Sequence, residues 1–146
     1  MRLTTRGIPK HIDKKICKRA VKFYADKLFS KRLKESLDIH VAFVELSDVE
    51  YGYCNPEDDT YRNFLIEINK NLPYEEILIS IAHEMGHVKQ YAKRELKDYV
   101  YGDKIKFQNE IFELAKVGYW RSPWEKDARD IERKLYRAFI KSEENK

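Results

Sequence analysis

The chain has 146 residues, 37% of them charged, and only five glycines and four prolines. This length supports one sizeable hydrophobic core, and the composition favours a helix-rich globular protein over an all-β one. The longest strongly apolar run, Ile77 to Ala82, is too short to cross a bilayer, and the N-terminus shows no apolar signal segment. We therefore expect one domain over residues 1–146, cytoplasmic and without a membrane partner.

The net charge of +4 conceals an asymmetry along the chain. Residues 1–36 hold twelve Lys and Arg against three acidic residues, a balance of +9. A basic N-terminal helix could bind nucleic acid or another polyanion, but a solvated lysine-rich face is the simpler explanation, since no nucleic-acid motif accompanies the basic residues. Cys17 and Cys54 form no C-x-x-C pair, which predicts buried reduced thiols and no disulfide framework.

The N-terminal half predicts one helix and two strands. Residues 1–9 are expected to be irregular, and residues 11–36 to form an amphipathic helix, because apolar residues recur there at roughly helical spacing among lysines. Residues 37–46 and 62–69 are rich in β-forming residues with alternating apolar side chains, which predicts two strands. Between them, the turn-rich stretch 47–61 is expected to be a loop or a ragged hairpin.

A second helix is predicted from about Pro73 to Arg94. Pro73 suits a first helical turn, and the two glutamates that follow suit the positive end of the helix dipole. Gly86 is unfavourable in mid-helix, which suggests that another backbone passes close to it. The pattern loosens from Asp98 to Asp103, a short helix is predicted over 105–117, and a last helix is expected to end near Ser142. Together these elements predict an α+β fold with a small sheet beside the Pro73–Arg94 helix.

That helix carries His83-Glu84-Met85-Gly86-His87, an H-E-x-x-H pattern. Four positions separate His83 from His87, so both imidazoles lie on one helical face, one turn apart, where they can bind a single Zn²⁺. Glu84 then flanks the open coordination position and can accept a proton from a metal-bound water. This is the pattern of zinc metallopeptidases. A pair of helical histidines without a metal is the alternative, and it leaves Glu84 unexplained.

A catalytic zinc ion usually has three protein ligands and one open position. The longer H-E-x-x-H-x-x-G-x-x-H pattern needs Gly at position 90 and His at position 93, where this chain has Gln90 and Lys93. A third histidine ligand from that pattern is therefore excluded. The remaining candidates are carboxylates beyond the helix: Asp98, Asp103, Glu110, Glu113, Glu125 and Asp127. Glu125 is best placed, because it begins a helix that can cross the motif helix. Ser122-Pro123-Trp124-Glu125 also reads as a helix-capping box, and both roles stay open for Glu125.

His83 to Ala92 and Pro123 to Ala128 resemble two motifs of small zincin-like metallopeptidases of the gluzincin type, often found in phages and related to the SprT-like group. The resemblance covers roughly residues 62–130. It implies that His83, His87 and Glu125 bind zinc, that Glu84 is the general base, and that the protein acts in a cytoplasm, which would be the host's if a phage encodes it. The separation between His87 and Glu125 is longer than in thermolysin-like enzymes.

Together these features predict a zinc-dependent peptidase acting on a peptide or protein substrate. Zinc would polarise the scissile carbonyl while Glu84 carries the water proton to the leaving amine. The strand Arg62–Asn69 could bind an extended peptide along its edge, and Tyr119 or Tyr91 could stabilise the oxyanion.

Two other functions are open. One is a binding or scaffold protein with a zincin fold and no proteolysis, against which the intact Glu84 argues. The other is a SprT-like protease that acts on nucleic-acid-associated proteins through the basic N-terminal helix. Salt-dependent binding to DNA would distinguish this last function from the others.

Overall fold

The computed structural model describes residues 1–98 and 103–146. Within these ranges, five helices accompany a mixed four-stranded sheet and a three-stranded antiparallel sheet, which confirms the predicted α+β class. No helix in the described ranges is long and apolar enough to cross a membrane. The elements are, in chain order, β1 (Arg2–Arg6), α1 (Lys14–Leu28), α2 (Lys31–Glu35), β2 (Asp38–Val44), β3 (Gly52–Pro56), β4 (Asn63–Asn69), α3 (Tyr74–Ala92), β5 (Leu96–Asp98), β6 (Lys104–Phe107), β7 (Glu110–Glu113), α4 (Leu114–Val117) and α5 (Pro123–Glu144).

The larger sheet has the strand order β1-β2-β4-β3. β2 pairs in parallel with both β1 and β4, and β3 pairs antiparallel with β4. Ile39, Val41, Phe64 and Ile66 on the central strands are at most 1% exposed, so the alternation that predicted these two strands does mark their core face. The stretch 47–61 contains β3, which makes it the ragged hairpin with β4 and not a plain loop.

Two expectations for the N-terminal region were wrong. Residues 1–9 are not irregular, since Arg2–Arg6 forms the edge strand β1; its exposed side chains conceal any apolar alternation. Residues 11–36 form two helices, because the backbone is extended at Phe29 and Ser30, and the Ser30 hydroxyl caps α2 by accepting from the Leu33 amide. Cys17 is buried as predicted, whereas Cys54 is only half-buried, and both thiols are free.

The short helix predicted over 105–117 was also wrong. This segment forms the β6–β7 hairpin, followed by the four-residue helix α4. Gln108 and Asn109 turn the hairpin with φ values of +48° and +70°, a backbone usually signalled by Asn-Gly or Asp-Gly. Without a glycine there, the sequence carries no hairpin signal. Most of the segment from Asp98 to Asp103, where the helical pattern loosens, lies outside the described residues.

The motif helix α3 is surrounded by the larger sheet, α1 and α5. Ile77, Leu78, Ile81 and Met85 are fully buried, as its apolar stripe predicted. α5 packs closely on it at Gly86, where an added Cβ atom would lie 3.4 Å from Ile131 Cγ2 and 3.6 Å from Ala128 Cα. The close approach of another backbone to Gly86 is therefore confirmed, and this approach brings the N-terminal part of α5 beside the histidines.

We predict that Gly86→Leu lowers the free energy of unfolding by about 1–3 kcal/mol, because a larger side chain must separate α3 from α5. Gly86→Ala should stay within about 1 kcal/mol of the wild type, since its methyl group makes ordinary contacts and alanine favours a helix. Urea unfolding followed by circular dichroism measures both. Lys134→Leu, at an exposed position of α5, is the control. An equal loss in the control would contradict the packing argument.

Candidate metal site

Two helices build the site. α3 carries His83, Glu84 and His87, and α5 carries Glu125. Glu84 is 5% exposed, and His87 and Glu125 are each 7% exposed. Ligand atoms of the two histidines and of Glu84 all lie within 4.8 Å of one another. The H-E-x-x-H motif thus forms a compact, buried group that can hold a metal ion.

Glu125 lies directly against the two histidines. Its Oε1 atom is 2.9 Å from His83 Nε2, and its Oε2 atom is 3.0 Å from His87 Nε2. The other five carboxylates considered from the sequence lie elsewhere. Asp98 accepts from the Tyr91 hydroxyl, Asp127 accepts from the Gln90 amide, and Asp103, Glu110 and Glu113 are exposed. Of the six, Glu125 is the one that the fold brings to the histidines.

The capping box anticipated at the start of α5 does not form. Ser122 occupies the N-cap and Pro123 the first turn, as expected. The Ser122 hydroxyl, however, donates to the Tyr119 carbonyl oxygen at 2.9 Å and makes no side-chain bond to the helix. The Ser122 amide also donates to the Tyr119 carbonyl oxygen, and the Glu125 carboxylate faces the histidines. Glu125 therefore contributes its charge to the site rather than a side-chain cap to the helix.

Each histidine is also held through its second ring nitrogen. His83 Nδ1 lies 2.8 Å from Glu132 Oε1, and His87 Nδ1 lies 2.8 Å from Gln90 Oε1. An ionised carboxylate and an amide oxygen only accept hydrogen bonds, so each Nδ1 carries a proton and donates it. Both Nε2 atoms are directed at Glu125. Partners of this kind fix the tautomer and the ring orientation of metal-binding histidines.

Gln90 is itself held in one orientation. It is fully buried, and its Nε2 atom donates to the Trp124 carbonyl oxygen and to Asp127 Oδ2, both at 2.9 Å. These two acceptors leave its Oε1 atom for His87. Sequence reasoning missed both partners of the histidines, although spacing offered a signal. Gln90 follows His87 by three positions and Glu132 follows Glu125 by seven, and either spacing places a residue on the same helical face.

The four titratable groups strongly perturb one another. Burial would lower the pKa of His83, but its hydrogen bonds with Glu125 and Glu132 outweigh burial and raise that pKa to about 10. The pKa of His87 is raised, again against burial, by Glu125 and Glu84. Burial would raise the pKa of Glu125, yet the two histidines hold it well below its usual range. Burial raises the pKa of Glu84, which the histidines offset only in part. The positive charge of the histidines offsets these closely spaced carboxylates, and a divalent cation can offset them in the same way.

A cleft of about 670 Å³ opens in front of the site. α3 contributes one side, β3 and the residues before it contribute a second, and α5 with the residues before it contributes a third. The prediction that Arg62–Asn69 offers a free edge to a peptide was wrong, because β4 lies between β2 and β3 and is paired on both sides. The edge strand of the larger sheet that lines the cleft is β3, which sequence reasoning did not resolve within the turn-rich stretch.

The two tyrosines considered for oxyanion stabilisation are placed differently. Tyr91 is buried, and its hydroxyl donates to Asp98 Oδ2 at 3.2 Å, so this donor is already used. Tyr119 lines the cleft and is 63% exposed. Partial burial and the charges of Glu125 and Glu84 raise the pKa of Tyr119, which keeps its phenol protonated and able to donate.

Arg129, which the sequence did not single out, supports the segment that carries Tyr119. Its guanidinium lies 4.7 Å from the centre of the Trp120 ring, and its Nη2 atom donates to the Trp120 carbonyl oxygen at 2.6 Å. Arg129 follows Glu125 by one helical turn, so both side chains lie on the cleft face of α5.

Comparisons of the chain with protein-family models, with curated proteins and with solved structures find no match. The resemblance to zincin-like peptidases thus rests on the two sequence motifs. The structure adds a buried H-E-x-x-H group on α3 that is consistent with metal-dependent activity.

We predict that Glu132→Ala weakens binding of a divalent metal, measured with added zinc, by roughly 10- to 100-fold, because His83 loses the acceptor that orients its ring. Competition with a chromophoric chelator measures the affinity. Asp130→Ala removes an exposed carboxylate from the same helix and should bind zinc like the wild type. Equal affinities in the two variants would exclude this supporting role for Glu132.

Proposed function

We propose that the protein is a zinc-dependent metallopeptidase, with His83, His87 and Glu125 as ligands and Glu84 as general base. The observation that carries the proposal is the convergence of both Nε2 atoms on the Glu125 carboxylate, with Glu84 beside them. A buried cluster of this composition can hold a cation, and Glu84, which lies beside the proposed ligands, gives the site a base.

The donor set and its spacing suit zinc. Tetrahedral zinc with bonds of about 2.0–2.1 Å keeps neighbouring nitrogen and oxygen donors about 3.3 Å apart. The closest approaches of Glu125 to the two Nε2 atoms, 2.9 Å and 3.0 Å, need only a slight expansion to reach that spacing. Two histidines and one glutamate are also a common ligand set of catalytic zinc. Bound zinc would supply a Lewis acid that polarises the scissile carbonyl and acidifies a water molecule.

Glu84 is suited to moving the proton. It accepts a proton from the attacking water and transfers it to the leaving amine. Burial raises the pKa of its carboxyl. A raised pKa makes a carboxylate a stronger base and therefore better able to accept a proton from water at neutral pH. The neighbouring histidines, or a metal, oppose that rise and favour the ionised form of Glu84.

The cleft supplies the remaining parts of a peptidase. An extended peptide binds along the free edge of β3 and adds a strand through main-chain hydrogen bonds. The Tyr119 hydroxyl donates to the oxyanion that develops on the scissile carbonyl, and Arg129 holds the adjacent Trp120 in place. A cytoplasmic location and a phage origin stay predictions.

Binding of nucleic acid is a second candidate function, favoured by one observation. Lys14, Lys18 and Lys22 recur at intervals of four along the outer side of α1 and form no ion pair with any described residue. A polyanion could bind this face through its phosphates. Binding to duplex DNA that weakens steeply with salt would support this function. Salt-independent binding, or none at low salt, would exclude it.

We predict that Glu84→Gln keeps about one zinc ion per chain but lowers the hydrolysis rate by at least about 100-fold, because the amide cannot accept the water proton. Metal analysis and cleavage of a quenched fluorescent peptide library measure the two properties. Glu75→Gln, at an exposed position of the same helix, should retain both. Undiminished hydrolysis by Glu84→Gln would remove Glu84 from the base role.

We predict that Glu125→Ala lowers zinc affinity by more than about tenfold, because one of three ligands is lost. Ser122→Ala is the matched control, since it alters the N-cap residue of α5 and leaves the Glu125 carboxylate in place. Its zinc affinity should equal that of the wild type. If Glu125→Ala loses thermal stability but binds zinc normally, Glu125 is a structural residue and not a ligand.

A further inference from the structure

The cleft carries more negative charge than the metal site uses. Its described lining contains five glutamates and one Lys or Arg: Glu50, Glu76, Glu84, Glu125, Glu132 and Arg129. Glu84 and Glu125 belong to the metal site, and Glu132 binds His83. Arg129 is held against Trp120. Glu50 and Glu76 therefore remain as carboxylates that line the cleft without a part in the metal chemistry.

Glu76 lies on the same face of α3 as the motif. Glu76, Ser80 and His83 follow one another at helical intervals of four and three residues, and all three line the cleft. The side chain of Glu76 forms no hydrogen bond or ion pair with any residue that the structure describes. With a rise of about 1.5 Å per residue, Glu76 stands roughly 10 Å along the helix from His83. This is the length of about three residues of an extended peptide.

Glu50 and two tyrosines lie at the same end of the cleft. The Asn69 side-chain amide donates to the Glu50 carbonyl oxygen, and the Asn69 main-chain amide donates to the Tyr51 carbonyl oxygen, both at 2.9 Å. Asn69 ends β4 shortly before α3 begins, so these bonds place Glu50 and Tyr51 near the N-terminal end of α3. The Tyr53 hydroxyl donates to the Glu50 carboxylate and lowers the pKa of Glu50, which keeps it charged.

This end of the cleft is suited to a cationic side chain. Tyr51 and Tyr53 are 55% and 46% exposed and line the cleft, and aromatic rings attract Lys and Arg side chains. The opposite end, near the C-terminal part of α3, is lined by the apolar side chains Leu96, Ile105 and Trp124. The two ends thus differ in charge, so a peptide with a cationic side chain binds more favourably in one register than in the others.

We propose that the cleft selects peptides with a Lys or Arg side chain about three residues from the scissile bond, and that Glu76 is the specificity-determining residue that binds its charge. The proposal rests on the proposed peptidase function. An extended peptide along β3 places alternate side chains over α3, within reach of an unpaired carboxylate at that distance.

Mapping of cleavage sites tests the proposal. A proteome-derived peptide library is digested with the zinc-loaded wild type, and the cut positions are read by mass spectrometry. We expect Lys and Arg to be enriched at one position about three residues from the cut. Glu76→Gln should still cut the library but reduce this preference about tenfold, since the amide oxygen can accept a hydrogen bond but no longer carries the negative charge that strengthens it. Glu75→Gln, whose side chain does not line the cleft, should keep the preference.

A binding experiment separates failure of the specificity from failure of the function. Zinc-loaded Glu84→Gln and the double variant Glu76→Gln/Glu84→Gln are titrated with a fluorescent ten-residue peptide that carries Lys, and with its norleucine counterpart. We expect Glu84→Gln to prefer the Lys peptide about tenfold and the double variant to lose that preference. Cleavage without enrichment of Lys or Arg, or a preference unchanged by Glu76→Gln, overturns the proposal. If the wild type cuts nothing, the proposed peptidase function fails. If Glu84→Gln then also binds the Lys peptide and the norleucine peptide equally, the charge selection is overturned as well.

Discussion

The packing of α5 against α3 at Gly86 is the constraint on which the site depends. The two histidines lie on α3 and their carboxylate partner on α5, so the site exists only while the two helices stay in close contact. Glycine at position 86 and alanine at position 128 permit this approach, because neither carries a side chain that would keep the backbones apart. The same contact places Glu132 beside His83 and the Trp124 carbonyl oxygen beside Gln90. One helix–helix contact thus aligns the ligand candidates and the groups that orient them.

The site costs stability that the rest of the fold must supply. Glu84, His87, Gln90 and Glu125 occupy buried positions that apolar side chains would otherwise fill, and buried charges are unfavourable unless they are paired. Each is paired here, or lies beside groups of opposite charge, and the polar network continues through the fully buried amide of Gln90 to Asp127. A network of this kind holds the imidazole rings rigidly, which is what binding of a metal ion at fixed geometry requires.

The sheet contributes the second half of the proposed function. β3 is the last strand of the larger sheet, so its outer edge pairs with no strand in residues 1–98 and 103–146, and α3 packs beside it. The residues before β3 add a charged and aromatic end to the cleft, whereas β5, β6 and the start of α5 add an apolar end. The same cleft can therefore supply both a main-chain contact common to all peptides and side-chain contacts that discriminate among them.

Local periodicity was enough to predict α3, the two central strands and the shared face of His83 and His87, because helix and strand geometry repeat over a few residues. The sequence by itself also predicted that Glu84 lies beside these histidines. Tertiary structure alone decided the position of Glu125, since a capping box and a carboxylate directed at the histidines share one local pattern and differ only in what lies across the helix interface. It also decided that β3 and not β4 is the edge strand beside the motif helix, because strand order depends on pairing between distant segments. The strand β1 and the β6–β7 hairpin stayed hidden for a related reason: exposed edge strands and a glycine-free turn carry little local signal, and pairing with neighbouring strands stabilises them.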